Sequence, residues 1–237
     1  MPATEGPVAV SAVVPVFGNA ETLEELYHRL TAALDATAPG GWEVLFVDDA
    51  SPDGSLPVLR RLAAGDERVG VVALPANVGQ HRAIRAGLAH ARGRAVVVLD
   101  ADLQDPPEAV PLLVSGLDEG VGAVFAGRRG RYESAWRLAT GRVAKWLLHR
   151  LSGRRLPADA GLFLAMTADL ARRLAADPQP DPHLLAAVAR SGLRLVSVPV
   201  RRDPRPSGHS AYSPRMRLRV AGRALRLVVT RPGRLVR

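Results

Sequence analysis

The chain has 237 residues, 47% of them hydrophobic, which is enough apolar surface for one large folded domain and excludes a disordered chain. There is no cysteine, so disulfides and thiolate metal sites are excluded, and a formal net charge of +9, mostly arginine, points to a phosphorylated substrate, anionic lipid or nucleic acid. Aromatics at 4% are too sparse for a base-stacking groove, which argues against single-stranded nucleic acid.

Val8 to Val16 is an apolar run that reads as the first strand. Asn19 is placed to cap a helix in which Leu23, Leu26, Leu30 and Leu34 recur at helical spacing. Trp42 to Val47 is the second strand, running into Asp48-Asp49-Ala50-Ser51-Pro52-Asp53-Gly54, with a short helix behind it. Val69 to Leu74 is the third strand, Asn77-Val78-Gly79 a turn, and Gln80 to Ala91 a helix. His81, at the start of that helix, reads as structural. Ala95 to Leu99 is a fourth, fully apolar strand that ends in Asp100-Ala101-Asp102-Leu103-Gln104 before Pro106 and Pro107, which suit a first helical turn. The second half is less regular. Short strands are predicted at Ala123 to Ala126, Leu162 to Met166 and Leu193 to Val200, and helices at Ser134 to Leu151, at Ala168 to Ala176 behind a Thr167 cap, and at His183 to Arg190. No stretch reaches the roughly 18 to 20 apolar residues of a membrane span, and Met1 to Pro7 lacks the pattern of a signal peptide, so a cytosolic location is expected.

The β-α alternation with continuous apolar strands implies an α/β fold with a mostly parallel sheet covered on both faces. In such a sheet the polar clusters after the strands, at Phe17 to Asn19, Asp48 to Ser51, Asn77 and Asp100 to Gln104, land on one edge, where open α/β sheets bind ligands. Asp100, Asp102 and Gln104 offer hard oxygen ligands that suit Mg²⁺ or Mn²⁺, which in turn hold phosphates. Asp-x-Asp alone is equally well a solvated loop; the convergence of four clusters is what favours a site.

These clusters together resemble the inverting family 2 glycosyltransferases, most closely the dolichyl- or polyprenyl-phosphate sugar transferases. The resemblance rests on Val14-Pro15-Val16-Phe17, Phe46-Val47-Asp48-Asp49-Ala50-Ser51-Pro52-Asp53-Gly54, Asn77-Val78-Gly79 and Leu99-Asp100-Ala101-Asp102-Leu103-Gln104-Asp105-Pro106-Pro107. Weaker matches follow at Arg128, Arg142, Asp159-Ala160-Gly161, and Arg205 with Gly208-His209-Ser210-Ala211-Tyr212. It implies a GT-A fold over residues 1–212, a single mostly parallel central sheet flanked by helices with a Rossmann-like nucleotide-binding half. Residues 213–237 then form a basic amphipathic tail. The implied reaction moves a hexose from a nucleotide-diphosphate sugar, GDP-mannose or UDP-glucose, to a polyprenyl phosphate at the cytosolic face of the membrane, with Mg²⁺ or Mn²⁺.

The resemblance also implies roles for single residues. Asp100, Asp102 and Gln104 would hold the metal, with Asp100 and Ala101 in the donor site and Asp102 part of the chemistry. Pro15 and Phe17 would lie near the base, and Asp48 and Asp49 would accept hydrogen bonds from base or ribose; a helix cap is the plainer reading of both. Asn77 would touch the ribose or fasten a strand end, or is a simple turn residue. Asp159 would face the acceptor, and a turn before Gly161 is its alternative. Arg128 and Arg142 would hold the acceptor phosphate, since guanidinium pairs with phosphate through planar, doubled hydrogen bonds. Arg202, Arg205 and Ser210 belong to a loop closing over the phosphates, Arg202 and Arg205 competing for one role and the spacing from Gly208 favouring Arg205.

Three departures from the family pattern keep other readings open. Gly18-Asn19 stands where relatives often carry Asn-Glu, Ala211 stands where a lysine is common, and the sequence stops about where many bacterial relatives continue into membrane helices. A separate membrane-anchor protein, or the basic tail on an anionic membrane surface, would supply the missing contact. A soluble hydroxyl acceptor, for which Asp159 would be a true base, is the second reading. A non-enzymatic basic module binding lipid or nucleic acid is the third, and the acidic strand ends argue against it; no nucleic-acid partner is expected.

Overall fold

In the computed structural model, which describes residues 8–129, 156–179 and 183–202, the first apolar run forms β1 (Val10–Val16), buried along its whole length. Alternation divides it between two cores: Val10, Ala12, Val14 and Val16 face one side of the sheet and Val13 the other. Helix α1 (Leu23–Thr37) buries Leu23, Leu26, Leu30, Ala33 and Leu34, a stripe at the spacing of one helical face. The chain continues through β2 (Trp42–Asp48), α2 (Ser55–Gly65), β3 (Val69–Ala73), α3 (Gln80–His90) and β4 (Ala95–Val98). A 3₁₀ turn at Pro107–Ala109, with its prolines at the start where no N–H is needed, leads into α4 (Val110–Ser115). Then come β5 (Val121–Arg129), β6 (Leu164–Thr167), α5 (Ala168–Ala175), α6 (Leu184–Arg190) and β7 (Arg194–Arg201).

The seven strands form one sheet in the order β3-β2-β1-β4-β6-β5-β7. Pairs β1/β2, β1/β4, β2/β3 and β5/β7 are parallel, so the mostly parallel sheet expected from the sequence is present. β6 is the exception, running antiparallel to both β4 and β5. Helices α1, α2 and α4 cover one face and α3, α5 and α6 the other. α3 rides close over β1 and β2 because residue 87 is glycine: a Cβ there would overlap Val13 and come within 2.9 Å of Val47 Cγ2.

The structure moves some sequence boundaries. β5 is longer than Ala123 to Ala126, and α1 begins behind Thr22, not Asn19. Asn19 turns back instead, its Oδ1 accepting the Phe17 N–H at 3.2 Å. Thr167 does cap α5, its Oγ1 accepting the Leu170 N–H at 3.4 Å. The helix predicted over residues 134–151, the part of the closing loop that holds Arg205 and Ser210, and the tail over 213–237 lie outside the described residues.

Candidate active site

From β1 the chain steps outward through β2 to β3, then returns to β4 on the other side of β1. The strand order therefore reverses between β1 and β4, and the crevice outside their carboxyl ends is where doubly wound sheets take ligands. The loops after β1, β2, β3 and β4 all open there. Because β6 is antiparallel, its leading loop, Asp159 to Phe163, reaches the same edge, and β5 and β7 end there at Arg129 and Arg201, with Arg202 just beyond.

The loops after β1 and β2 are interlocked. The Gly18 N–H donates to Ser51 Oγ (3.2 Å), the Asn19 N–H to Ser55 Oγ (3.1 Å), and the Ala20 N–H to Asp53 Oδ2 (3.1 Å). Asp53 Oδ1 accepts from the Ser55 N–H and hydroxyl, starting α2. Burial works against the Asp53 charge, but the hydrogen bonds from Ser55 and Ala20 outweigh it and hold the carboxyl below its ordinary pKa. Asp53 is thus the structural acid of the motif.

Asp48 and Asp49, both buried, part ways. Asp49 is spent on the turn after β3: its Oδ1 and Oδ2 accept the N–H groups of Val78 (2.7 Å) and Gly79 (2.9 Å), and Asn77 donates from Nδ2 to its carbonyl (3.3 Å). Asn77 is therefore a strand-end fastener here. The Asp48 side chain accepts only a long bond among the described residues, 3.4 Å, from the Ser51 N–H to Oδ2, and its Oδ1 has no partner there. A buried carboxylate oxygen without a donor costs folding energy and fits a ligand N–H or O–H. Pro15 is buried inside β1, whereas Phe17 at its mouth is 39% exposed, an apolar ring available to a planar ligand.

The Asp100-to-Asp105 loop is held from three sides. Thr22 donates to the Ala101 carbonyl (2.7 Å), Gln80 Nε2 to Asp100 Oδ1 (2.5 Å), and the Gln104 N–H to Asp102 Oδ1 (3.1 Å). Leu103 takes φ +58°, a left-handed conformation that costs a non-glycine residue roughly 1 to 3 kcal/mol and persists only where burial fixes it; Leu103 is 2% exposed. This turn leaves Asp100 and Asp102 half-buried at the end of β4. Arg202 stands against them. Its Nε donates to Asp105 Oδ1 at 2.6 Å, with both side chains largely buried. Burial opposes its charge, but Asp105, and more weakly Asp100 and Asp102, outweigh burial and raise its pKa.

Among the described residues no three His, Cys, Asp or Glu side chains are grouped to hold a metal. Two adjacent carboxylates at a strand end nonetheless fit an ion of the Mg²⁺ type, which binds through one or two carboxylates plus substrate phosphates and water. Asp159 is exposed in the loop before β6, and Arg128 lies near the end of β5. Arg142, Arg205 and Ser210 lie outside the described residues. Sequence reading passed over Gln80, Thr22, Asp53 and Asp105, whose partners are 20 to 97 residues away.

His81, next to Gln80, packs its ring on His183 with centroids 4.4 Å apart and takes the Leu184 N–H on Nδ1 at 3.5 Å. Burial, and then the neighbouring His183, push its pKa down to about 3. The unfolded chain then binds more protons than the folded one between its ordinary 6.5 and 3. Stability is accordingly complete above that upper value and is lost as pH falls through the interval, by on the order of a few kcal/mol. Thermal melts over that range should show the slope, and His81→Asn, which keeps an acceptor but cannot titrate, should remove most of it.

The sequence model of the family "Glycosyl transferase family 2" matches residues 11–173. An undecaprenyl-phosphate 4-deoxy-4-formamido-L-arabinose transferase of Salmonella paratyphi A is 35% identical over 209 residues, covering 86% of this chain; the chain spans only 62% of that relative's length. Among solved structures, glucosyl-3-phosphoglycerate synthase of Mycobacterium tuberculosis, in complex with Mn²⁺, UDP-glucose and phosphoglyceric acid, superposes with a TM-score of 0.67 at 20% identity, over 95% of this chain and 80% of that one. A mannosyltransferase of Pyrobaculum calidifontis with GDP-mannose and Mn²⁺ gives 0.58 at 22% identity, over 96% and 73%. These likenesses establish the GT-A fold expected from the sequence.

Proposed function

The chain belongs to glycosyl transferase family 2, and on that premise we propose that it moves a sugar from a nucleotide-diphosphate donor to a polyprenyl phosphate, with inversion at the anomeric carbon. The observation that carries this reading is the pair Asp100 and Asp102, half-buried at the crevice where the strand order reverses. The relative named for an undecaprenyl-phosphate transferase supports the acceptor class.

Phe17 packs on the base and Asp48 Oδ1 accepts a base or ribose donor. Asp100 and Asp102, with Gln104 beside them, would hold Mg²⁺ or Mn²⁺. When bound, that ion neutralises the charge that builds on the departing diphosphate. An acceptor phosphate oxygen attacks the anomeric carbon as the bond to the β-phosphate oxygen breaks, and the nucleoside diphosphate leaves. Arg128, with Arg142, Arg205 and Ser210, holds the acceptor phosphate; Asp159 orients the acceptor, which is already anionic and needs little proton removal. Asp49 and Asn77 shape the donor pocket through each other. Contact with the membrane falls to the basic stretch 213–237 or to a separate anchor protein. No helix among the described residues is long and apolar enough to cross a membrane.

The test offers purified protein GDP-mannose, UDP-glucose and a nucleotide-activated 4-deoxy-4-formamido-L-arabinose, each with Mn²⁺ or Mg²⁺, with and without polyprenyl phosphate. Label in the lipid phase, abolished by EDTA, is the expected result and names the donor. Donor binding with transfer only to a water-soluble acceptor would replace the lipid reading with the soluble-acceptor one, which Ala211 in place of a lysine favours. No donor binding in the presence of metal would sink both.

A further inference from the structure

The strand residue Gly127 has no turn to make, yet it cannot carry a side chain. A Cβ built on it would overlap the Oδ2 of Asp159 and the hydroxyl of Ser197, and would stand 3.0 Å from Asp159 Cγ. Ser197 lies on β7, opposite Phe125 in the parallel register with β5, and Gly127 pairs with Pro199; residues 125, 127, 197 and 199 therefore point to one face. The Asp159 carboxylate is laid over that face, in the space a methyl group would fill. It accepts no hydrogen bond among the described residues and is largely exposed. The Ser197 hydroxyl is sealed from solvent and also has no partner there.

A buried hydroxyl left unpaired is costly, and the acceptor across the glycine from it is the Asp159 carboxylate. We propose that Ser197 and Gly127 are positioning residues for Asp159: the glycine opens the seat, and the Ser197 hydroxyl, by rotation about its χ1, donates to the carboxylate and fixes it towards the acceptor. This rests on the reading of Asp159 as the acceptor-facing carboxylate. Among the described residues no hydrogen bond sets the direction of this exposed carboxylate, and small errors in direction cost transfer rate.

The test compares Ser197→Ala, Ser197→Thr, Gly127→Ala, Asp159→Asn and the Gly127→Ala/Asp159→Asn double variant, using the donor identified above and polyprenyl phosphate. Ser197→Ala should lower kcat about tenfold with the donor KM unchanged. Ser197→Thr, which keeps the hydroxyl on a residue suited to a strand, should restore kcat. Gly127→Ala should approach the loss seen in Asp159→Asn, and adding it to Asp159→Asn should cost nothing more. An unchanged kcat in Ser197→Ala, a Ser197→Thr as impaired as the alanine, or a full extra loss in the double variant would each overturn the proposal while leaving the lipid-transfer reading intact. A fully active Asp159→Asn would remove the role of Asp159 and this proposal with it. If Gly127→Ala does not fold, the two Ser197 variants still decide.

Discussion

Replacing Asp102 with alanine is expected to lower sugar transfer about a thousandfold while the melting temperature falls by no more than about 3 °C. The large effect follows from where charge appears. A departing nucleoside diphosphate gathers negative charge on its β-phosphate, and Asp102 is one of two carboxylates at the end of β4 able to hold a cation there. A loss of roughly 4 kcal/mol in stabilisation corresponds to that thousandfold change. The small stability effect follows from the local bonds. Asp102 Oδ1 accepts the Gln104 N–H at a half-buried turn, a bond of modest worth, and removing the carboxylate also relieves repulsion with Asp100. Asp100→Ala should be as inactive but less stable, because it also strips Gln80 Nε2 of its acceptor at the start of α3. Transfer assays beside thermal melts separate the cases, and donor titrations with and without Mn²⁺ should lose their metal-dependent increment in Asp102→Ala. Transfer above about a tenth of the parent rate would remove Asp102 from the chemistry.

Much of this site could be read before any coordinates because apolar runs and helical spacing are local. β1 to β4 fall within a residue or two of their sequence boundaries, though α1 starts three residues later than an Asn19 cap would place it, and parallel strands force their following loops to one edge. Strand direction is a different matter. Leu164 to Thr167 looks the same to a period-two pattern whether it runs up or down, so the antiparallel insertion of β6 between β4 and β5 could not be read. That insertion is what carries Asp159 to the ligand edge. Nor does residue type separate neighbouring acids. Asp48 and Asp49 are chemically alike, yet one keeps a buried oxygen with no partner among the described residues and the other is consumed by the Val78 and Gly79 N–H groups, about thirty residues on. Gly127 lies just past the strand predicted at Ala123 to Ala126, and nothing marks it until Asp159 is found occupying the space beside it.

Arg202→Leu is expected to destabilise the protein by about 3 to 5 kcal/mol, a fall in melting temperature on the order of 10 °C. The reason lies with the partner left behind. Arg202 and Asp105 retain 15% and 4% side-chain exposure, and Asp105 Oδ2 already has no hydrogen bond among the described residues. Without the guanidinium, Asp105 is a buried carboxylate beside Asp100 and Asp102, with its short bond from Arg202 Nε gone. Paired removal tests this. In Arg202→Leu/Asp105→Leu both buried charges vanish, and most of the lost stability should return, since an apolar pair of similar volume replaces an ion pair at little net cost. Transfer should not return with it. The field of Arg202 also acts on Asp100 and Asp102, so the double variant should fold normally while its donor affinity and its dependence on Mn²⁺ concentration both change. Recovery of stability and transfer together would make the pair a structural strut alone. A double variant as unstable as the single one would mean that Asp105 was never the reason Arg202 is needed.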